Sequence, residues 1–203
     1  MDEETSWRVI AEQRLALADL LDGLTADEWD RPSLCTDWRV RDVAAHVAMA
    51  PQPPGLAAML GAAARARGSF NRLNHDLAVR HAARPPGEIV AQLRQHAASR
   101  RLPAVTNYRN IVPDVLVHSQ DIAVPLGRDL PMPIAAARAA AERAWEMGWP
   151  FWAQRRLRGV RLTATDTDWS VGAGKEVTGP IAALLLLLTG RTATARPHLT
   201  GPL

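Results

Sequence analysis

The sequence predicts a mainly α chain: helices packed as a bundle over most of its length, then a short mixed segment of strands and helix after Gly148. Three observations carry that prediction. Apolar residues recur at three- and four-residue spacing through successive segments, the period of helices with one buried face. Proline and glycine stand between those segments, where helices stop. Then Val160-Arg161-Leu162-Thr163-Ala164-Thr165 alternates with period two and is rich in β-branched residues, the pattern of a strand. A chain of 203 residues is long enough for one good core, or for a main domain with a small appendage. We expect the bundle at residues 1–150 and the small α/β domain at 151–203.

The first helix is expected at about 5–23, where Val9, Ile10, Leu17, Leu20, Leu21 and Leu24 follow the 3.6 period and Gly23 lies near the end. Thr25-Ala26-Asp27-Glu28 has the form of a capping box and should start a short turn carrying Trp29 before Pro32 interrupts it. A loop, Ser33 to Val40, follows and closes on Asp37 as the next cap. The second helix, about 38–50, has Val40, Val43, Ala44 and Val47 as its stripe. Pro51-Gln52-Pro53-Pro54-Gly55 stops it. An Ala-rich helical region runs to about Arg84, Pro85-Pro86 divides it from a helix at about 87–101, and a loop with Pro103, Asn107 and Asn110 leads onward. Ile134 to Met147 is again helical. After Gly148, strands are expected at Val160–Thr165, Trp169–Val171 and Glu176–Thr178, with Pro180 opening a helix from Ile181 to Thr189 that Gly190 ends.

The helix predicted at 113–124 is the one that carries chemistry. Pro113 suits a first helical position, and Pro125 and Gly127 suit an end. Its apolar residues spread around the cylinder, as in a buried helix. Yet at about 100° per residue Asp114, His118 and Asp121 fall in one sector. Buried polar groups are costly unless paired, so this face requires a metal ion, a polar residue from a second helix, or water. Aspartate and histidine four apart, with a third ligand from another helix, is a geometry that holds zinc or a similar divalent ion in helical bundles. The same spacing also serves a simple hydrogen bond. His46 sits about 60° from Val43 on its own helix, at the edge of the apolar stripe, as a ligand or a packing histidine. His75, His81, His96 and His198 read as surface or packing residues. Cys35 is a lone thiol on a loop, and no base stands beside it in sequence to make it a nucleophile.

Composition excludes several classes. No apolar run approaches the roughly 18–20 residues that cross a bilayer, and Ile181 to Leu188 is the longest candidate. The Met-Asp-Glu-Glu-Thr start is acidic where a secretory signal is basic and then apolar, so a cytoplasmic location is expected. One cysteine excludes an internal disulfide framework and a zinc site built from several thiolates. The pI near 9.9 comes from arginine rather than from a strong field, because the net charge is only +3 and Lys175 is the sole lysine. Arg65-Ala66-Arg67, Arg100-Arg101 and Arg155-Arg156-Leu157-Arg158 read as solvated faces, with no basic stripe interleaved with aromatics for nucleic acid.

Cys35-Thr36-Asp37-Trp38-Arg39-Val40-Arg41-Asp42-Val43-Ala44-Ala45-His46-Val47 resembles the Cys-x-x-Trp-x-Val-x-Asp-Val-x-x-His segment of the mycothiol-dependent maleylpyruvate isomerase family, part of the wider DinB-like metal-binding bundles. Leu116 to Ile122 followed by Leu126-Gly127-Arg128 is similar to a second signature. Trp169-Ser170-Val171-Gly172 through Val177-Thr178-Gly179-Pro180 to Leu188-Thr189-Gly190-Arg191 is similar to the family's C-terminal domain. The resemblance implies a DinB-like four-helix bundle with a small α/β C-terminal domain, and a divalent metal, expected to be zinc, held by His46, Asp114 and His118. Asp114 departs from the glutamate the family more commonly has, so a shorter side chain must reach the ion. Asp121 matches an aspartate the family keeps, read as support for a ligand or as an anchor of the helix. Arg191 matches an arginine read as catalytic through a bidentate hold on a substrate carboxylate, with a solvated or helix-capping arginine as the alternative. The activity implied is isomerisation or thiol transfer on a small electrophilic substrate, using mycothiol or a similar low-molecular-weight thiol whose thiolate the metal stabilises. The alternative is a catalytically inactive DinB-like binding or regulatory module.

Overall fold

A computed structural model describes residues 1–52, 69–102 and 106–203. The Pro53-Pro54-Gly55 stop, Arg65-Ala66-Arg67, the proposed break near Gly68 and Pro103 lie outside these residues. Helix dominates the described part: α1 (Glu3–Asp22), α2 (Ala26–Trp29), α3 (Val40–Met49), α4 (Phe70–His81), α5 (Pro86–Gln95), α6 (Tyr108–Ala123), α7 (Ile134–Glu146) and α8 (Ala153–Arg156) precede three strands. These are β1 (Val160–Ala164), β2 (Ser170–Gly172) and β3 (Lys175–Gly179), followed by α9 (Ile181–Leu188) and α10 (Thr192–Ala195). Among the described residues no helix is long and apolar enough to cross a membrane. The chain divides into two compact units, one of residues 7–108 and 118–130, the other of 1–6, 109–117 and 131–203.

In the first unit α1 buries Ile10, Leu17 and Leu21 along one face, as its periodicity predicts. Thr25 and Glu28 form the expected capping box: the Thr25 N–H donates to the Glu28 carboxylate at 2.9 Å, and the Glu28 N–H donates to the Thr25 hydroxyl at 3.3 Å. Helix α3 packs on α4 and α5, and its fully buried Val43, Ala44 and Ala48 keep that face small. Arg14, only 2 % exposed, donates from Nη1 to the carbonyls of Ala97 and Ser99, both at 3.1 Å. Those carbonyls lie just past the end of α5, which stops at Gln95 rather than near residue 101. The buried guanidinium satisfies acceptors that a longer helix would have bonded internally.

Two local expectations change in this unit's neighbourhood. Arg39, not Asp37, is the cap position of α3. Asp37 occupies the left-handed region at φ 64°, which a short polar side chain tolerates, and so belongs to the turn before the helix. The Asp42 carboxylate accepts the Arg39 N–H at 2.9 Å and grips its guanidinium through Nε at 3.0 Å and Nη2 at 3.2 Å. That hydrogen-bonded fork pushes the Arg39 pKa up. Helix α6 begins at Tyr108, so Pro113 is inside it rather than at its start. The proline forfeits one bond, from its missing N–H to the Arg109 carbonyl, while buried Ile111, Val112, Val115 and Leu116 hold the helix on both sides.

In the second unit the strands are ordered β2-β1-β3, with β1 antiparallel to β2 and parallel to β3. Leu162 and Val177 are register partners and both fully buried, so the period-two pattern marks the covered face. The chain crosses the end of β1 through Gly174, at φ 120°, where a Cβ would collide with the Gly159 carbonyl. Helix α9 packs on α7, whose Ala136, Ala137, Ala140, Ala141 and Ala144 leave room for its leucines. Each fully buried leucine there contributes about 1.5–3 kcal/mol relative to an exposed one. Both ends of α9 are closed from outside the helix. Asp166 accepts the Ile181 N–H at 2.9 Å, and Arg156 donates to the Leu188 carbonyl at 2.7 Å. Gly190, at φ 92°, turns the chain so that the Arg191 N–H returns to the Leu186 carbonyl.

Candidate metal centre

Helix geometry puts Asp114, His118 and Asp121 on one face of α6, as their spacing requires. Asp114 and His118 are half-buried, whereas Asp121 has no exposure at all. The loop before α3 is fastened to this helix by the Leu34 N–H, which donates to the Asp121 carbonyl at 3.1 Å. Ser33 braces the same loop from within: its hydroxyl donates to the Trp38 carbonyl at 2.8 Å and accepts the Cys35 N–H at 3.1 Å. The Trp38 ring therefore lies parallel to His118, with 4° between planes and 6.5 Å between centroids.

His46 reaches the same place from α3. Its ring meets His118 edge-on, with centroids 4.9 Å apart and planes at 73°, and meets Trp38 at 5.5 Å. His75 on α4 also contacts Trp38, at 6.0 Å, so three imidazoles surround one indole. Asp114 stands one helical turn before His118 on α6. His118 Nδ1 is 2.8 Å from Asp121 Oδ2. A carboxylate only accepts, so Nδ1 is the donor in this bond. Metal-bound histidines usually donate their other ring N–H to a carboxylate or carbonyl in this way.

Cys35 is the residue that linear reading undervalues. No base is adjacent in sequence, but its Sγ is 3.0 Å from Asp121 Oδ2 and 3.7 Å from His118 Nδ1. Those partners are 86 and 83 residues away, which is why local spacing gives no sign of them. Arg191 stands in the turn after α9, half-buried, and its Nη1 donates to the Thr189 carbonyl at 2.7 Å. His81 is a packing histidine, with Nε2 2.6 Å from Gln92 Oε1.

Residues 10–108 match the family model described as the mycothiol maleylpyruvate isomerase N-terminal domain. That segment, just under half of the chain, is similar to the family's N-terminal domain. The mycothiol maleylpyruvate isomerase match takes in Cys35, Trp38 and His46, and ends where α6 begins. Among solved structures, the crystal structure of the mycothiol-dependent maleylpyruvate isomerase is similar with a TM-score of 0.67 at 16 % identity, over 99 % of this chain and 93 % of that one. A histidine-to-alanine mutant of that isomerase gives the same TM-score at 15 % identity and the same coverage. At this identity the likeness is one of fold: a helical bundle with a small α/β domain. No curated protein sequence matches the chain.

Proposed function

We propose that this chain is a metal-dependent cytoplasmic enzyme that uses a low-molecular-weight thiol, mycothiol or a close analogue, for isomerisation or thiol transfer on a small electrophilic substrate. The observation that carries this reading is the edge-on approach of the His46 and His118 rings, 4.9 Å between centroids, with Asp114 one helical turn before His118 on α6. Two nitrogens and one oxygen are a donor set that suits zinc, and three protein ligands leave a fourth position open, the pattern of a catalytic rather than a structural site. Bound there, a divalent ion supplies positive charge that favours thiolate over thiol at neutral pH.

The protein's own groups do the rest. Asp121 holds the Nδ1 proton of His118, which fixes the ring and raises the basicity of Nε2. Trp38 lies parallel to His118 on one side of the ring. Arg191 is assigned to a substrate carboxylate through its guanidinium fork, on the resemblance of the segment from Trp169 to Arg191. The test is metal analysis of protein purified without chelator, followed by a screen of thiols against electrophilic acceptors. About one equivalent of transition metal, lost in His46→Ala and His118→Ala, with turnover that needs both metal and thiol, is the expected result. Negligible metal with no uptake on titration would overturn the reading.

A further inference from the structure

All seven tryptophans lie among the described residues, and the fold treats them unequally. Trp7, Trp29 and Trp169 are buried, and Trp38 and Trp145 are half-buried. Trp149 and Trp152 are instead 50 % and 45 % exposed, in the loop between α7 and α8, within the unit that holds residues 131–203. Two exposed arginines, Arg155 and Arg158, follow at once. We infer that this loop is a peripheral docking surface for an anionic phospholipid bilayer, with the two indoles entering the headgroup region and the two guanidiniums meeting lipid phosphates.

Tryptophan has an apolar body and a polar N–H, and it settles at the boundary between water and lipid. The fold holds the pair outward at a conformational cost. Trp152 occupies the left-handed region at φ 49° and ψ 35°, where a bulky side chain is strained. Its N–H donates to the Gly148 carbonyl at 2.6 Å, and its ring rests on Gly148, where a Cβ would come 3.3 Å from a ring carbon. Behind the loop, α8 buries Ala153 and Leu157. Arg156 ties both together, donating from Nε to the Phe151 carbonyl at 2.9 Å and from Nη2 to the Leu188 carbonyl at 2.7 Å. The surface is therefore formed before anything binds it.

Charge decides the partner. From Met147 to Gly159 the sequence has no aspartate or glutamate. Glu146, just before, is taken up by Arg109 at 3.1 Å and Arg143 at 3.9 Å. Arg155 lies over the Trp152 ring, 5.3 Å from its centroid, and neither it nor Arg158 is in an ion pair among the described residues. Positive charge beside interfacial aromatics complements acidic headgroups. A second copy fits less well, because a two-fold contact through this loop would set Arg155 and Arg158 against their own counterparts. Single-stranded nucleic acid also fits less well: the Trp152 ring is already under Arg155, and two arginines without a groove give a phosphate backbone little to follow. Nothing is asked of His46, Asp114 or His118, so the inference stands apart from the proposed function.

The experiment sediments full-length protein with vesicles of phosphatidylcholine containing about one-third phosphatidylglycerol, and with vesicles of phosphatidylcholine alone. Binding to the anionic vesicles is expected, at least about tenfold weaker on phosphatidylcholine alone and in about 0.5 M salt. Brominated acyl chains should quench part of the tryptophan fluorescence. Trp149→Ala combined with Trp152→Ala should remove that quenching and weaken binding at least about tenfold, and Arg155→Gln with Arg158→Gln should remove most of the preference for phosphatidylglycerol. Circular dichroism checks that the variants are folded, and the lipid and salt series on the wild type needs no variant. No sedimentation with the anionic vesicles, equal binding to phosphatidylcholine alone, or undiminished binding by the folded tryptophan double variant overturns the inference. Self-association that needs the two tryptophans, or capture of an oligothymidylate, in either case without vesicle binding, overturns it too and assigns the surface to a second copy or to nucleic acid.

Discussion

Asp121 is the side chain on which the order of the candidate site most depends. It is fully buried, and one of its oxygens receives both His118 Nδ1 at 2.8 Å and Cys35 Sγ at 3.0 Å. An amide in its place offers one acceptor oxygen and a donor pair that repels the His118 N–H. Asp121→Asn should therefore weaken metal binding about 10–100-fold, measured by competition with a chromophoric chelator. An unchanged affinity would remove Asp121 from the site. A second residue effect concerns pH. Burial is the main cause that pushes the His81 pKa below its ordinary 6.5, with the nearby Arg84 charge acting the same way against the Gln92 hydrogen bond. The unfolded chain then binds the proton that the folded chain refuses, so His81 contributes stability that is complete above pH 6.5 and declines as the pH falls below it. In His81→Gln this part of the acid-side decline should disappear from urea midpoints measured across that range. An identical pH slope in the variant would show that His81 plays no part.

At the scale of elements, stability rests on helix ends that distant side chains close. Arg14 serves the carbonyls after α5 in this way, from a position with almost no access to water. Replacing it by methionine keeps the bulk and strands those acceptors, and should cost about 2–3 kcal/mol in urea unfolding. A loss below 0.5 kcal/mol, roughly the scatter of ordinary surface substitutions, would mean that water replaces the guanidinium. Gly174 is the corresponding point in the sheet. Its φ of 120° and its approach to the Gly159 carbonyl leave no place for a methyl group. Gly174→Ala should destabilise by more than about 1 kcal/mol, visible as a lower thermal midpoint. Helix α1 is legible in sequence because burial of one face is a local, periodic requirement, and α9 because Pro180 and Gly190 bound its continuous apolar run. The start of α6 is not, because a mid-helix proline is disfavoured locally and tolerated only when the surrounding side chains are buried.

For the molecule as a whole, a resident ion links the candidate site to folding. A ligand that binds only the native chain at 100 times its dissociation constant adds about 2.7 kcal/mol of stability. Zinc should raise the thermal midpoint of the wild type, chelator should lower it, and both responses should be much reduced in His46→Ala. A midpoint that ignores zinc at saturating concentration would contradict a native-state metal site. The match over residues 10–108 covers the segment with His46, while Asp114 and His118 belong to α6, so a metal response that needs both parts tests more than the family model does.

The mainly α class, the strand segment after Gly148 and the polar face of α6 were all determined by sequence alone. Each follows from spacing along a short stretch, and helix or strand geometry converts spacing into direction without help from the rest of the chain. His46 at the edge of its stripe was legible for the same reason. Packing decided that Cys35 lies against His118 and Asp121, that Trp38 stacks on His118, and that Arg14 finds its carbonyls past α5. These contacts join residues about eighty positions apart, and no local rule connects such positions. Only the closing of the core brings them together.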